Sequence, residues 1–110
     1  MSSRFRVALV TGGAQGIGRQ ISLGLAASGF FVVVVNKQNL NSANSVVSEI
    51  EKAGGLSITY QADLSVVREI KELIYKVNRD VGAVDVLVNN AAVFNPKPIE
   101  EVSETDWDAE

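Results

Sequence analysis

The residues whose types and spacing could do chemistry are Thr11, Gly12, Gly16 and Gly18, set in the run V-A-L-V-T-G-G-A-Q-G-I-G-R-Q-I from Val7 to Ile21. Val7 to Val10 is an apolar stretch long enough for a buried strand, and from Ile17 the apolar spacing becomes that of a helix. Strand, glycine turn and helix in that order make a site for a phosphate group, because the helix start offers unpaired N–H donors and a partial positive charge. Each glycine has its own task. Gly12 lets the chain leave the strand in a tight turn, Gly16 lets backbone N–H groups approach a pyrophosphate, and Gly18 removes a side chain so that the helix can lie close on the sheet.

Two other phosphate loops fail on the same letters. Gly13 and Gly18 have the Walker spacing, but Arg19 and Gln20 follow where a lysine and a magnesium-binding hydroxyl are required. The strict G-x-G-x-x-G turn fails because Gly16 and Gly18 are followed by Ile21. What remains is T-G-x-x-x-G-x-G. A turn that merely joins a strand to a helix is the plainer alternative.

The elements that must position this turn follow from periodicity. Strands are predicted at Phe5–Thr11, Phe30–Asn36, Ser57–Gln61 and Asp85–Asn89. The second reads F-F-V-V-V-V-N without alternation, as expected of a strand covered on both faces. Between them, Ile17, Ile21, Leu25 and Ala26 mark a first helix ending near Gly29. Ala43, Val46, Val47, Ile50 and Ala53 mark a second, stopped by Gly54 and Gly55. A third carries Val66, Ile70, Leu73, Ile74, Val77 and Val81, stopped by Gly82. This βαβαβαβ alternation implies an α/β fold of Rossmann type: a doubly wound parallel sheet with right-handed crossovers, strand order 3-2-1-4, in three α/β/α layers.

Ligand contacts in such a sheet gather at the carboxyl ends of the strands. The second of these usually reads the adenosine ribose, about 20 residues past the glycine turn. An acidic residue there would accept from the 2′-hydroxyl of NAD and repel the 2′-phosphate of NADP. Here the position holds neutral Asn36 beside cationic Lys37, which favours NADP(H) over NAD(H). The plainer alternative is a solvated loop lysine, and Gln15 in the glycine turn supplies no second cation.

Composition narrows the rest. The 110 residues make one domain, and 46% hydrophobic content suits a chain that buries a core. A net charge of −3 without a basic cluster argues against nucleic acid. With no Cys and no His, the common zinc and copper sites, thiol nucleophiles and Ser-His-Asp chemistry are excluded, and no metal ligand is expected. The N-terminal residues run straight into the first strand, without room for a signal peptide, and no apolar run approaches a membrane span. The expectation is a soluble, cytoplasmic protein. At the other end, Pro96 and Pro98 break the loop after the fourth strand. Ser103 to Asp106 reads as a capping box opening a helix, with Trp107 as an early apolar position. The sequence stops barely one turn later, at Glu110, so it reads as truncated.

Three motifs in register resemble the classical short-chain dehydrogenase/reductase family: T-G-G-A-Q-G-I-G at Thr11–Gly18, A-D-L at Ala62–Leu64, and D-V-L-V-N-N-A-A at Asp85–Ala92. The resemblance covers essentially the whole chain. The later part is similar to β-ketoacyl-carrier-protein reductases and to sugar or polyol dehydrogenases. It implies that Gly12, Gly16, Ile17 and Gly18 line the pyrophosphate turn, Ile17 through its backbone. It implies that Asp63 accepts from the adenine amino group, with the Leu64 N–H facing the ring. Asn90 and Ala91 would lie along the adenosine ribose and the middle of the coenzyme. Thr11 and Asn89 would tie the glycine turn to the fourth strand. For Asp63 the plainer alternative is a helix N-cap carboxylate or a solvated one. One departure is Ala92, where the family usually has glycine.

The family also implies what is missing. Hydride transfer needs an acid for the forming alkoxide, which the family supplies as a Tyr with a Lys four residues later. Tyr60 is followed at that spacing by Leu64 and Tyr75 by Arg79, so both are expected to pack rather than react. No catalytic residue is assigned. The reading is the coenzyme-binding part of an NAD(P)-dependent oxidoreductase acting on a carbonyl or secondary alcohol, dimeric or tetrameric as the family commonly is. The alternatives are a catalytically inactive dinucleotide-binding module and a non-dehydrogenase Rossmann protein such as an epimerase or methyltransferase.

Overall fold

Three of the four strands are rich in valine, whose β-branched side chain packs well on a pleated surface. In the computed structural model, which describes residues 5–90, β1 spans Val7–Thr11, β2 Phe31–Asn36, β3 Leu56–Gln61 and β4 Val86–Asn89. Helices α1 (Gly16–Ala27), α2 (Leu40–Lys52) and α3 (Val67–Asp80) alternate with them. All the pairings are parallel and the order is β3-β2-β1-β4, as expected for the Rossmann-type sheet.

The two-residue period of the strands divides the core between the faces. Val10, Val32 and Val34 pack with Ala43, Val46 and Ile50 under α1 and α2. Val7, Leu9, Val33 and Val35 pack with Leu73 and Val77 of α3 on the other face. Val32, Val33, Val34 and Val35 are all buried, which accounts for the unbroken valine run of β2. The helices thus form the outer layers of an α/β/α arrangement.

Registers line up Thr11 with Val35 and with Asn89, and Asn36 with Gln61, so the strands reach their carboxyl ends in one row. Because β2 and β4 lie on opposite sides of β1, the winding reverses between them. This is the crevice in which open α/β sheets hold ligands.

Three packing expectations are corrected, the first being Ile74, which belongs to the predicted apolar face of α3 but is exposed. Ile17 belongs to the predicted apolar face of α1 but is 73% exposed, because the first helical turn overhangs the strand ends. The face that α1 buries is centred on Gly18 and Ser22, with Ile21, Leu25 and Ala26 beside them. Tyr75 is exposed on α3 and stacks under the Arg79 guanidinium, 5.7 Å from its ring centre, instead of entering the core. Tyr60 does pack against the α3-side cluster, as expected. Strand β4 leaves Leu87 exposed. Among the described residues no helix is long and apolar enough to cross a membrane. Ala91, Ala92, the Pro96–Pro98 loop and the Ser103–Asp106 capping box with Trp107 lie outside the described residues.

Candidate functional site

The glycine turn begins where β1 ends. Gly12 has φ +62° and donates its N–H to the Val35 carbonyl at 2.7 Å, which pins the turn to β2. Gly16 has φ +54° at the first position of α1, a backbone conformation that costs a residue with a Cβ. Gln15, just before it, is extended and makes no capping bond with its side chain, and the first turn of α1 carries no acidic residue. The free N–H groups and the positive end of the dipole are therefore uncompensated by the helix's own side chains.

Gly18 answers to a close approach. A Cβ there would fall 2.1 Å from the Gly12 carbonyl oxygen and 2.6 Å from the Asn90 side-chain nitrogen. At Gly18 itself the close neighbours are the glycine turn and the residue that follows β4. Ser22, not singled out in the sequence, completes this packing. It is fully buried, and its hydroxyl lies 3.1 Å from the Gly13 carbonyl and 2.9 Å from that of Gly18. One signal was available: a serine stands inside the apolar stripe of α1, between Gly18 and Leu25.

Thr11 and Asn90 bind the turn to β4. The Thr11 hydroxyl accepts from the Asn90 N–H at 2.9 Å, and its one proton has the Val88 carbonyl (3.3 Å) and Asn89 Oδ1 (3.1 Å) as acceptors. Asn90 Nδ2 donates to the Gly12 carbonyl at 3.2 Å. Thr11, Gly12, Gly18 and Asn90 are thereby brought together, with Asn89 beside them.

A second group forms across the ends of β2 and β3. The Asn36 carbonyl accepts from the Ala62 N–H at 3.1 Å, and Gln61 Nε2 donates to the Lys37 carbonyl at 2.9 Å. Asp63 Oδ1 accepts from both the Ser65 N–H (3.0 Å) and the Ser65 hydroxyl (2.7 Å). Those bonds, the hydroxyl's first, hold the Asp63 carboxyl below its ordinary range, and Lys37 adds to the effect. The other oxygen, Oδ2, stands 3.6 Å from Lys37 Nζ. Asp63 is not the N-cap of α3: that position is Val66, and Glu69 instead reaches back to accept from the Asp63 N–H at 2.8 Å. Leu64 packs its side chain against the α3-side core. Asn36 Oδ1 is buried without a hydrogen-bond partner, an acceptor left open where a hydroxyl group would satisfy it.

Tyr60 donates to Asp80 at 2.7 Å. Burial first, and then Asp80, pushes its phenol up to about 12, while Arg79 and Tyr60 bring Asp80 down to about 2. A phenol held that high is a poor acid for alkoxide chemistry near neutral pH. Among the described residues no group of His, Cys, Asp and Glu could hold a metal ion.

Comparison with known proteins bears on the family and the fold. The family model for short chain dehydrogenase matches residues 6–110. The chain is 42% identical over 101 residues to the 3-oxoacyl-(acyl-carrier-protein) reductase FabG of Staphylococcus epidermidis, covering 92% of this chain and 41% of that protein. It is 37% identical over 97 residues to the short-chain dehydrogenase/reductase homolog YusS of Bacillus subtilis, covering 88% of this chain and 89% of YusS. Among solved structures, a metagenomic short-chain oxidoreductase in complex with NADP superposes with a TM-score of 0.76 at 35% identity, over 98% of this chain and 49% of that one. The chain thus spans about two fifths of the length of the FabG relative.

Proposed function

Because this chain belongs to the short-chain dehydrogenase family, we propose that it is the coenzyme-binding part of an NAD(P)-dependent oxidoreductase that moves a hydride between nicotinamide and a carbonyl or secondary alcohol. The observation that carries the proposal is the glycine turn. Gly12 and Gly16 turn at positive φ, Gly18 leaves room for the Gly12 carbonyl, and the start of α1 has no acidic side chain to compete with an anion. These features suit a pyrophosphate, and the open Asn36 acceptor suits a ribose hydroxyl.

In this reading Gly12, Gly16, Gly18 and the backbone of Ile17 hold the pyrophosphate. Asn36 and Lys37 meet the adenosine ribose, Asp63 and the Leu64 N–H meet adenine, and Asn90 with Ala91 would lie along the adenosine ribose and the middle of the coenzyme. The coenzyme would supply the hydride. This chain's own residues bind and orient it, and none of them is assigned the proton. NADP(H) is the favoured coenzyme because Lys37, and no carboxylate, follows Asn36 at the end of β2. The substrate class is that of a 3-oxoacyl-carrier-protein reductase or a sugar or polyol dehydrogenase, the first supported by similarity to FabG. The acidic balance of the chain supports a protein that does not bind nucleic acid, and a cytoplasmic homodimer or homotetramer fits the reading.

A second reading, binding of a dinucleotide without turnover, is supported by the pairing of Tyr60 with Asp80, which leaves that phenol a poor acid. Calorimetric titration with NADPH and NADH, beside an assay of carbonyl reduction, tests both readings. Saturable binding with reduction supports the first, and binding without reduction supports the second. No binding of either coenzyme refutes both.

A further inference from the structure

We infer that Asp63 is a positioning residue for Lys37, and that its ion pair restrains how strongly the site distinguishes a 2′-phosphate from a 2′-hydroxyl. The inference rests on the coenzyme reading above and deepens it. Lys37 and Asp63 lie on different βα turns, yet Nζ stands 3.6 Å from Oδ2 across the ends of β2 and β3. Both anchors of this pair are held. The Lys37 carbonyl receives Gln61 Nε2, while Asp63 is fixed through its other oxygen by Ser65 and through its N–H by Glu69. The lysine side chain is 64% exposed and the aspartate side chain only 27%, so the mobile partner is the cation.

A carboxylate with two donors on Oδ1 stays ionised throughout the neutral range, so its negative charge is always present beside Lys37 there. It has two consequences for a phosphate arriving beside Lys37. The ammonium is already shared with Asp63, and the same carboxylate repels the incoming dianion. An exposed pair is weak enough for a phosphate to displace, so Asp63 lowers the preference without abolishing it. The Lys37 cation alone would discriminate more sharply than this site does.

The test uses two probes that differ only at the 2′ position: adenosine 2′,5′-bisphosphate and adenosine 5′-monophosphate. Their affinity ratio removes whatever Asp63 contributes to adenine, which both probes share. Asp63→Asn keeps the shape and an oxygen for the Ser65 donors while removing the charge. We expect Lys37→Ala to lower the ratio several-fold and Asp63→Asn to raise it by roughly three- to tenfold, the size of one screened charge at this range. In the Lys37→Ala background the gain from Asp63→Asn should be clearly smaller, since only direct repulsion remains. A ratio that Asp63→Asn leaves unchanged or lowers, while Lys37→Ala still reduces it, overturns the inference alone. Equal gains in both backgrounds also overturn it, because Asp63 would then act without Lys37. A ratio indifferent to Lys37→Ala removes the NADP(H) preference and the inference together.

Discussion

Alanine replaces glycine at two positions of the same helix with opposite expected signs. At Gly24, exposed on α1, an added Cβ meets nothing within 4 Å. Gly24→Ala therefore gains helix propensity, about 0.5–1 kcal/mol, and raises the melting temperature by roughly 4 °C. At Gly18 the same methyl group falls 2.1 Å from the Gly12 carbonyl oxygen, where ordinary contact begins at 3.4 Å. The obstacle is backbone, and Gly12 is held by its own bond to Val35, so the turn cannot give without loosening its bond to β2. Overpacking of this kind costs about 1–3 kcal/mol or more, which exceeds the propensity gain. Gly18→Ala should be destabilised by about 2 kcal/mol and melt roughly 10 °C lower. It should also lose dinucleotide affinity at least tenfold, because the displaced segment is the one that would carry the donors. Thermal melts and NADPH titrations of both variants decide the matter. If Gly18→Ala melts and binds like Gly24→Ala, the close-approach account of this glycine is wrong.

Three further outcomes follow from the same geometry. Ser22→Ala should cost about 1–2 kcal/mol in urea unfolding, since the one proton of its buried hydroxyl is shared between the Gly13 and Gly18 carbonyls; an unchanged midpoint would show that this bonding carries nothing. Thr11→Val should speed exchange of the Asn90 amide by about tenfold, having removed its acceptor, while leaving the amides of β2 protected. The Tyr60 phenol is raised in the folded state to about 12, so its stabilisation is complete below the ordinary phenol range and is lost as pH rises through about 12. Asp80 is depressed to about 2, so its share is present above the ordinary carboxylate range and is lost as pH falls through about 2. Urea midpoints of the parent and Tyr60→Phe should therefore converge from pH 10 towards pH 12; a constant gap would contradict the pairing.

Local signals were enough to read the βα frame. The valine run of β2 is apolar throughout because both faces are covered, and the glycines after α1, α2 and α3 stop each helix within a few residues of the predicted point. The glycine turn was legible for the same reason: its residues are neighbours in sequence. The misses share a physical cause. Ile17 fits a helical stripe by spacing, but spacing does not say that the first turn overhangs the sheet. Tyr75 is the exception, because its partner Arg79 lies four residues on along the same helix and so was readable in the sequence. The Lys37–Asp63 pair depends on β2–β3 register and on the turn closed by Ser65, and the Tyr60–Asp80 bond depends on where α3 crosses the sheet. Ser22 reaches the Gly13 carbonyl, which becomes its neighbour only when α1 docks on the turn.

The central claim is that the glycine turn and the row of strand ends hold a dinucleotide. Backbone amide shifts recorded during an NADPH titration test it most directly. The account predicts saturable shifts concentrated at Gly12, Gly16, Ile17 and Gly18, with a second group at Asn36, Lys37, Asp63 and Leu64 and a third at Asn90. Saturable shifts confined to the outer face of α3, or none at millimolar coenzyme, would contradict it.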